Sequence, residues 1–279
     1  MRFFSFLNSF WTAWRDYPSE MNTVLGNRYT VHEMIGEGSY GITYKCLDQT
    51  NGSLVAVKQS RPSKGAYAKH LLQREARILK ALRHSHIPAF KDLFTEGRNT
   101  YLVMSFISGD TLEDMIFDQG RQYGEQDCVR ITLQLLELVG YIHIKGYVHL
   151  DLRIPNVLFN NEELYLIDFG LARELGEPHP FMNSAQKKFK NCSVSTGQFK
   201  DSEEKADLLD IGHFMLFLLY STYKPNKKHK DAVKLGWQEE LELSRELKEM
   251  IERLLELRES YSTSAQFMTD LRALAHLQN

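Results

Sequence analysis

Residues 149–156 read His149-Leu150-Asp151-Leu152-Arg153-Ile154-Pro155-Asn156, and this stretch carries the strongest structural signal in the chain. It lies between a predicted helix, Gln126–Lys145, and a short predicted strand, Val157–Phe159. In a loop at this position Asp151 can accept a proton from an attacking hydroxyl group, and Asn156 can offer an amide oxygen to Mg²⁺. The stretch therefore predicts a catalytic loop that joins proton transfer to metal binding.

A second acidic motif, Asp168-Phe169-Gly170, begins 12 residues after Asn156. Asp168 comes directly after the predicted strand Leu164–Ile167, and Gly170 leaves the backbone free to turn. A carboxylate at the end of this strand can bridge Mg²⁺ to the β- and γ-phosphates of a nucleotide. Tripeptides of this kind are common, so the weight of the motif comes from its distance to the catalytic loop.

A glycine-rich stretch, Gly36-Glu37-Gly38-Ser39-Tyr40-Gly41, lies near the start of the chain. The next residues, Ile42 to Cys46, favour a strand, so we predict a hairpin and not the helix of a dinucleotide-binding motif. Glycines in such a hairpin let backbone N–H groups approach phosphate oxygens, although an ordinary glycine-rich hairpin is the alternative. The predicted nucleotide contacts in this region are Ile35, Gly36, Glu37, Gly38, Ser39, Tyr40, Gly41, Ile42 and Thr43.

A lysine on the next predicted strand favours the phosphate-binding interpretation. Lys58 directly follows the apolar run Val55-Ala56-Val57, whose side chains point into a hydrophobic core. Its ammonium group therefore needs a partner of opposite charge there. Glu75, in the middle of the following predicted helix, can supply that carboxylate. The pair would hold Lys58 against the α- and β-phosphates of the nucleotide.

The predicted secondary structure changes from strands to helices along the chain. The first third contains five predicted strands and one helix: Tyr29–Ile35, Gly41–Asp48, Leu54–Gln59, Phe90–Thr95, Thr100–Phe106 and the helix Ala66–Leu82. Later helices are predicted over Gln126–Lys145, Leu208–Tyr220 and Glu239–Leu257. We therefore predict a bilobal α+β fold with an extension at 1–26, a small sheet lobe at 27–104, a hinge at 105–110 and a helical lobe at 111–279. The crevice between the lobes is the expected ligand site.

In this order and spacing, the motifs resemble those of the eukaryotic-type (Hanks-type) Ser/Thr protein kinase family, and the compact size is similar to that of its bacterial members. The resemblance extends from about Tyr29 to the C-terminus. It implies an ATP- and Mg²⁺-dependent phosphotransferase with a small sheet lobe and a larger helical lobe. The implied catalytic residues are Asp151, Lys58, Glu75 and Arg153, and the implied metal ligands are Asn156 and Asp168.

The same resemblance assigns the adenine site and a structural brace. It makes Met104 the gatekeeper beside the adenine and Ser105-Phe106-Ile107 the hinge that hydrogen-bonds it. By the same comparison the adenine ring lies between Thr43, Ala56 and Leu158, and Asp207 opens a buried helix and braces the catalytic loop.

The sequence departs from the family pattern at the catalytic loop. Leu150 replaces an arginine that anchors a phosphorylated activation loop, so we expect no switch by loop phosphorylation. Arg153 replaces a lysine beside the γ-phosphate, which keeps the charge but presents it as a planar fork.

A further departure concerns the segment Glu174–Ala206, which lacks the Ala-Pro-Glu motif of the family. The arginine that pairs with this glutamate would fall near Ser262 and is absent too, so the change leaves no buried unpaired charge. Because this segment forms the peptide platform in the family, the class of acceptor stays open.

Composition excludes several other classes of protein. The net charge of −2 gives no field that favours nucleic acid. The three cysteines, Cys46, Cys128 and Cys192, are scattered, as expected of free thiols in a reducing compartment. No apolar run approaches the ~20 residues of a membrane span. We therefore expect a soluble, cytoplasmic protein that binds no nucleic acid.

The first residues, Met1 to Asp16, form a predicted amphipathic helix with an aromatic face and no secretory-signal pattern. The helix either packs on its own domain or on a second copy, or lies peripherally on a membrane. Packing is favoured because the polar face carries Arg15 but no lysine. The apolar side consists of Phe3, Phe4, Phe6, Leu7, Phe10, Trp11 and Trp14.

Three functions fit these observations. The first is phosphorylation of Ser or Thr in proteins, including the chain itself at Ser193, Ser195 or Thr196. The second is phosphorylation of a small molecule on the same scaffold, which the altered Glu174–Ala206 segment favours. The third is nucleotide binding without turnover, which the complete set of chemical residues argues against.

Overall fold

The structure is a computed structural model that describes residues 16–39, 41–177, 196–224 and 236–277. Several sequence predictions fall outside these residues, so they stay predictions: the helix Met1 to Asp16 except for Asp16, and Tyr40, Cys192, Ser193 and Ser195. The chain divides into two compact units. The first contains the described residues up to Ser108 together with Phe169–Leu171, and the second contains Gly109–Asp168 and the described residues from Ala172 onward.

The first unit is built on a six-stranded antiparallel sheet. Its strands are β1 (Val24–Leu25), β2 (Tyr29–Glu37), β3 (Gly41–Asp48), β4 (Leu54–Ser60), β5 (Phe90–Glu96) and β6 (Asn99–Ser105). They are arranged in the order β1-β2-β3-β4-β6-β5. One helix, α1 (Gly65–Ala81), follows β4 after the short 3-10 segment Pro62–Lys64. The five predicted strands and the helix are present, with ends that differ from the predicted ends by at most two residues.

The register between strands gives the sheet two different faces. Tyr44 lies opposite Val57, which lies opposite Val103, and residues directly opposite each other share a face. This face carries a buried cluster of Leu25, Tyr29, Val31, Ile42, Tyr44, Cys46, Val55, Val57, Tyr101 and Val103. Because side chains alternate along a strand, Ala56 and Lys58 point to the other face.

Helix α1 buries one apolar side and packs against β4, β5 and β6. The residues Leu71, Leu72, Ile78 and Leu79 recur at the helical period and are buried. Glu75 lies on the same side and is only 1% exposed, so α1 carries a charge into the interior of this unit.

The second unit is mainly helical. Its helices are α2 (Leu112–Phe117), α3 (Glu125–Ile144), α4 (Thr196–Tyr220), α5 (Trp237–Glu240), α6 (Arg245–Leu254) and α7 (Ser264–Leu277). Its short strands are β7 (Asp110–Thr111), β8 (Tyr147–Val148), β9 (Val157–Asn160), β10 (Glu163–Leu166) and β11 (Arg173–Glu174). Strand β9 lies between β10 and β7, and β8 pairs with β11. Gly109 turns the chain into β7 at φ +140°, where a Cβ atom would lie 2.2 Å from the Phe159 carbonyl oxygen.

Two helix predictions in this unit were wrong. Helix α4 begins at Thr196 and not near Leu208, so Asp207 lies within the helix and does not open it. The charged residues before Leu208 concealed the helical period. The predicted helix Glu239–Leu257 is two helices, because Leu241 is buried between them and the Ser244 hydroxyl caps α6 by accepting from the Leu247 N–H.

Two further observations concern the cysteines and the helices of the described residues. The thiols of Cys46 and Cys128 are free and buried, as predicted for these two cysteines. Within the described ranges no helix combines the length and the apolar character that a membrane crossing requires.

Candidate active site

The glycine-rich stretch forms the turn between β2 and β3, as predicted. Gly38 N–H donates to the Gly41 carbonyl over 2.9 Å. Among the described residues, Cβ atoms built on Gly36 and Gly38 would meet Thr43 and the Gly41 carbonyl, each at the ordinary contact distance of 3.8 Å. A Cβ atom on Gly41 would lie 2.9 Å from the Gln59 carbonyl. Backbone groups of the described part of this loop, other than the bonded Gly38 N–H, can therefore be approached closely, which fits a phosphate-binding role.

The predicted ion pair between Lys58 and Glu75 is present. Lys58 Nζ lies 3.0 Å from Glu75 Oε1 and 2.9 Å from Oε2. The side chains are only 13% and 2% exposed. Such a pair fixes the position of the ammonium group, because leaving either charge alone in this interior would be costly.

Sheet register places the predicted adenine contacts of the first unit on the same face as Lys58. Thr43 lies opposite Lys58 on β3, and Ala56, two residues before Lys58, lies opposite Met104 on β6. In the predicted hinge, Ser105 N–H donates to the Ala89 carbonyl over 2.8 Å. The hydrogen bonds to the adenine remain predicted for the other polar groups of the hinge backbone.

Asp151 is held by two neighbours in the catalytic loop. Asn156 Nδ2 donates to Asp151 Oδ2 over 2.8 Å and to the Asp151 carbonyl over 2.9 Å. Arg153 Nε lies 2.6 Å from Asp151 Oδ1, and Arg153 Nη2 lies 3.0 Å from Oδ2. The hydrogen bond and ionic attraction from Asp151 raise the pKa of Arg153. The Asp151 carboxylate is thus oriented, and the amide orientation directs Asn156 Oδ1 away from Asp151.

Asp207 braces the catalytic loop from inside α4, as predicted. Its carboxylate accepts from His149 N–H over 3.0 Å and from Leu150 N–H over 2.7 Å, and it lies 2.8 Å from His143 Nε2. Asp207 and His149 are both 0% exposed, and burial lowers the pKa of His149. These bonds hold Leu150 at φ +63°, a left-handed conformation that a leucine rarely adopts.

Asp168 has a left-handed backbone too, with φ +58°. The Ile167 N–H donates to the Asn156 carbonyl over 2.9 Å, so the chain before Asp168 runs alongside Asn156. In the described part of the chain no group of three or more His, Cys, Asp or Glu side chains is arranged to hold a metal ion. Mg²⁺ needs no such cluster, since it is usually held by one or two carboxylates, water and substrate phosphates. The oxygens of Asn156 and Asp168 suit this ion.

Similarity to known proteins identifies the family. A model of the protein kinase domain matches residues 29–271. The chain belongs to the protein kinase family. A Bacillus subtilis protein named "Probable serine/threonine-protein kinase YbdM" is 33% identical over 92% of this kinase and 93% of the relative. A Dictyostelium discoideum protein, named as a probable myosin light chain kinase, is 28% identical over 86% of this kinase and 77% of the relative. The solved structure of PpkA-294 in its apo form has a TM-score of 0.66 at 22% identity, over 91% of this kinase and 99% of that chain.

These matches confirm the predicted fold and the resemblance to Ser/Thr kinases. The kinase is therefore an enzyme with protein substrates, of a family that uses ATP and divalent metal ions.

The structure adds residues that sequence reasoning missed. Arg74 Nη2 donates to the Gly170 carbonyl over 3.3 Å, and Phe169 is 1% exposed, so the residues after Asp168 attach to α1 within the first unit. Asp210, on α4, accepts from the Leu152 N–H over 3.2 Å. Asp210 lies inside the predicted helix Leu208–Tyr220, one turn after Asp207 on the same side, so the predicted brace at Asp207 could have indicated it.

We expect Asp210→Asn to stabilise the kinase more at about pH 7.5 than at about pH 5. Burial, reinforced by the charges of Asp207 and Asp151, raises the pKa of Asp210 from 3.8 to about 6. The Asp210 carboxyl group therefore loses its proton at a lower pH in the unfolded chain than in the folded kinase. As the pH rises from the unfolded pKa to the folded pKa, the folded wild type loses stability relative to the unfolded chain. Asparagine has no such proton, and its oxygen can still accept from Leu152.

The stability gain of Asp210→Asn over the wild type should grow by roughly 1 kcal/mol between the two pH values, allowing for solvent screening of a partly exposed group. Urea denaturation at each pH measures this difference. An equal gain at both pH values would contradict the prediction.

Proposed function

We propose that this kinase transfers the γ-phosphoryl group of ATP to Ser or Thr hydroxyl groups of proteins, with Mg²⁺ as the metal ion. The observation that carries the proposal is the cluster in which Asn156 and Arg153 both hold the Asp151 carboxylate. Proton transfer from an attacking hydroxyl requires an oriented carboxylate of this kind. The name of the Bacillus relative supports Ser and Thr as acceptors.

The other charged residues have separate parts in this proposal. Lys58, held by Glu75, would contact the α- and β-phosphates, and Arg153 would stabilise charge on the transferred group. Asn156 Oδ1 and the Asp168 carboxylate would hold Mg²⁺, which supplies charge neutralisation at the phosphates when bound. Asp151 would accept the hydroxyl proton as the acceptor oxygen bonds to the γ-phosphorus and the bond from this phosphorus to the bridging oxygen breaks, which releases ADP.

The nucleotide site completes the proposal. Backbone N–H groups of the glycine-rich stretch would bind the phosphates, and the alternation of the sheet supports Thr43, Ala56 and Met104 as adenine contacts. Leu158, which is 7% exposed on β9, remains the proposed adenine contact of the second unit, and Ile107 the proposed hinge donor.

Arg173, on β11, forms an ion pair within the second unit. Arg173 Nη2 lies 3.3 Å from Glu203 Oε1, and Glu203 Oε2 accepts from the Gly176 N–H over 2.8 Å. Both charged side chains are about nine-tenths buried. A carboxylate of the chain itself thus neutralises Arg173. We further propose, from Leu150, that the kinase needs no activation-loop phosphate.

A labelling experiment tests the proposal. The purified chain is incubated with γ-labelled ATP, Mg²⁺ and a basic protein rich in Ser and Thr, with and without EDTA. We expect phosphoserine or phosphothreonine after acid hydrolysis of the protein, and no label when EDTA removes the metal. Label that passes only into added small-molecule acceptors would favour the second function considered above. ATP binding without transfer to any acceptor would contradict phosphotransfer altogether.

A further inference from the structure

Arg61 joins the glycine-rich loop to a residue that precedes the family domain. Arg61 Nε donates to the Gly38 carbonyl over 2.7 Å, and Nη2 lies 2.6 Å from Glu37 Oε1. On the other side, Arg61 Nη1 lies 3.6 Å from Asp16 Oδ2. The Arg61 side chain is 15% exposed. One guanidinium group therefore contacts the turn of the loop and the N-terminal segment together.

We propose that Arg61 is a positioning residue for the glycine-rich loop and that Asp16, outside the matched domain at 29–271, orients Arg61 for this task. The inference rests on the proposed function, because it assigns the loop to nucleotide binding. It adds a control on that binding by a segment outside the family domain.

Asp16 is fixed well enough to orient a partner. Ser63 N–H donates to Asp16 Oδ1 over 2.9 Å, and the Ser63 hydroxyl donates to Oδ2. Asp16 is 9% exposed. The chain that follows docks on the sheet as well, since Ser19 N–H donates to the Tyr44 hydroxyl over 2.9 Å. The carboxylate is thus anchored on both sides and faces Arg61 from a defined position.

The contact with Gly38 carries most of the expected effect. A glycine-rich turn has many accessible conformations, and it must lose this freedom when its backbone N–H groups bind phosphate. A charged donor on the Gly38 carbonyl reduces this freedom in advance. The contact with Glu37 should contribute less to the ordering of the loop, because the Glu37 side chain is 53% exposed and solvent screens the ion pair.

Only arginine suits this position fully. Its planar fork has donors that point in different directions, so one side chain can contact Gly38, Glu37 and Asp16 together. A lysine has one compact ammonium group and could restore one of these contacts. Arg61→Lys should therefore recover part of what Arg61→Ala loses.

The test uses the full chain and compares ATP kinetics with nucleotide affinity. Arg61→Ala should raise the KM for ATP about 5- to 10-fold while kcat stays within about twofold, since the loop acts before the chemical step. Asp16→Ala should raise the KM by about 3-fold, and the double variant should be no worse than Arg61→Ala. Arg98→Ala is the matched control, because Arg98 is exposed in the turn between β5 and β6.

Two outcomes would overturn the inference. One is an unchanged KM in Arg61→Ala with a lowered melting temperature, which would make Arg61 a structural residue only. The other is fully additive effects of Asp16→Ala and Arg61→Ala, which would show that Asp16 does not act through Arg61. Calorimetric affinity for a non-hydrolysable ATP analogue with Mg²⁺ gives the same comparison without turnover. Failure of the proposed phosphotransfer therefore remains distinguishable from failure of this inference.

Discussion

Asp151→Asn should lower kcat by about 10²- to 10⁴-fold, the contribution of a positioned general base. Asparagine is similar in size and keeps one oxygen that can accept from Arg153, so the loop should hold its conformation. The change removes the group that takes the proton from the acceptor hydroxyl. Nucleotide affinity should therefore stay within about twofold of the wild type.

Steady-state phosphorylation of a protein acceptor and calorimetric nucleotide binding measure the two quantities. Asp127→Asn is a matched control, because Asp127 is a half-exposed aspartate on α3, within the second unit, that pairs with the nearby Arg130 over 3.2 Å. The control should retain wild-type kcat. Retention of wild-type kcat in Asp151→Asn would remove Asp151 from the chemistry.

Local sequence patterns predicted the first unit well. The apolar run Val55-Ala56-Val57 predicted strand β4, and the strand-forming residues Ile42 to Cys46 after the glycines predicted a turn and not a helix. These signals act within one element, where the period and the turn residues decide the structure. The ion pair between Lys58 and Glu75 followed, because a charge beside an apolar run needs a partner.

Contacts between distant segments could not be read from such patterns. Asp16 and Ser63 are 47 positions apart in sequence and both are ordinary polar residues, so neither residue type indicates the contact. Asp210 was missed for the same reason, since its partner, the Leu152 N–H, lies 58 positions away in sequence. The charged residues before Leu208 resemble a solvated loop until the helix that contains them is known.

Lys58→Met should lower kcat by about 10²- to 10³-fold, the usual cost of removing one preorganised electrostatic contact from a transition state. Methionine fills a similar space but carries no charge for the nucleotide phosphates. The variant should also be destabilised, by about 3 kcal/mol, because the ammonium group that faces the buried Glu75 carboxylate is lost. Loss of activity in this variant alone therefore has two explanations, lost charge and lost fold.

A second substitution separates the two explanations. Replacing a buried ion pair by apolar residues of similar volume is often neutral for stability, so Lys58→Met combined with Glu75→Leu should recover most of the lost stability. It should recover none of the activity, because the phosphates would still lack the charge of Lys58. Thermal denaturation and phosphotransfer rates, measured on the same preparations, decide whether Lys58→Met loses activity through lost charge or through lost fold. If activity returned together with stability, the pair would serve the fold of the first unit, and the nucleotide would not depend on Lys58.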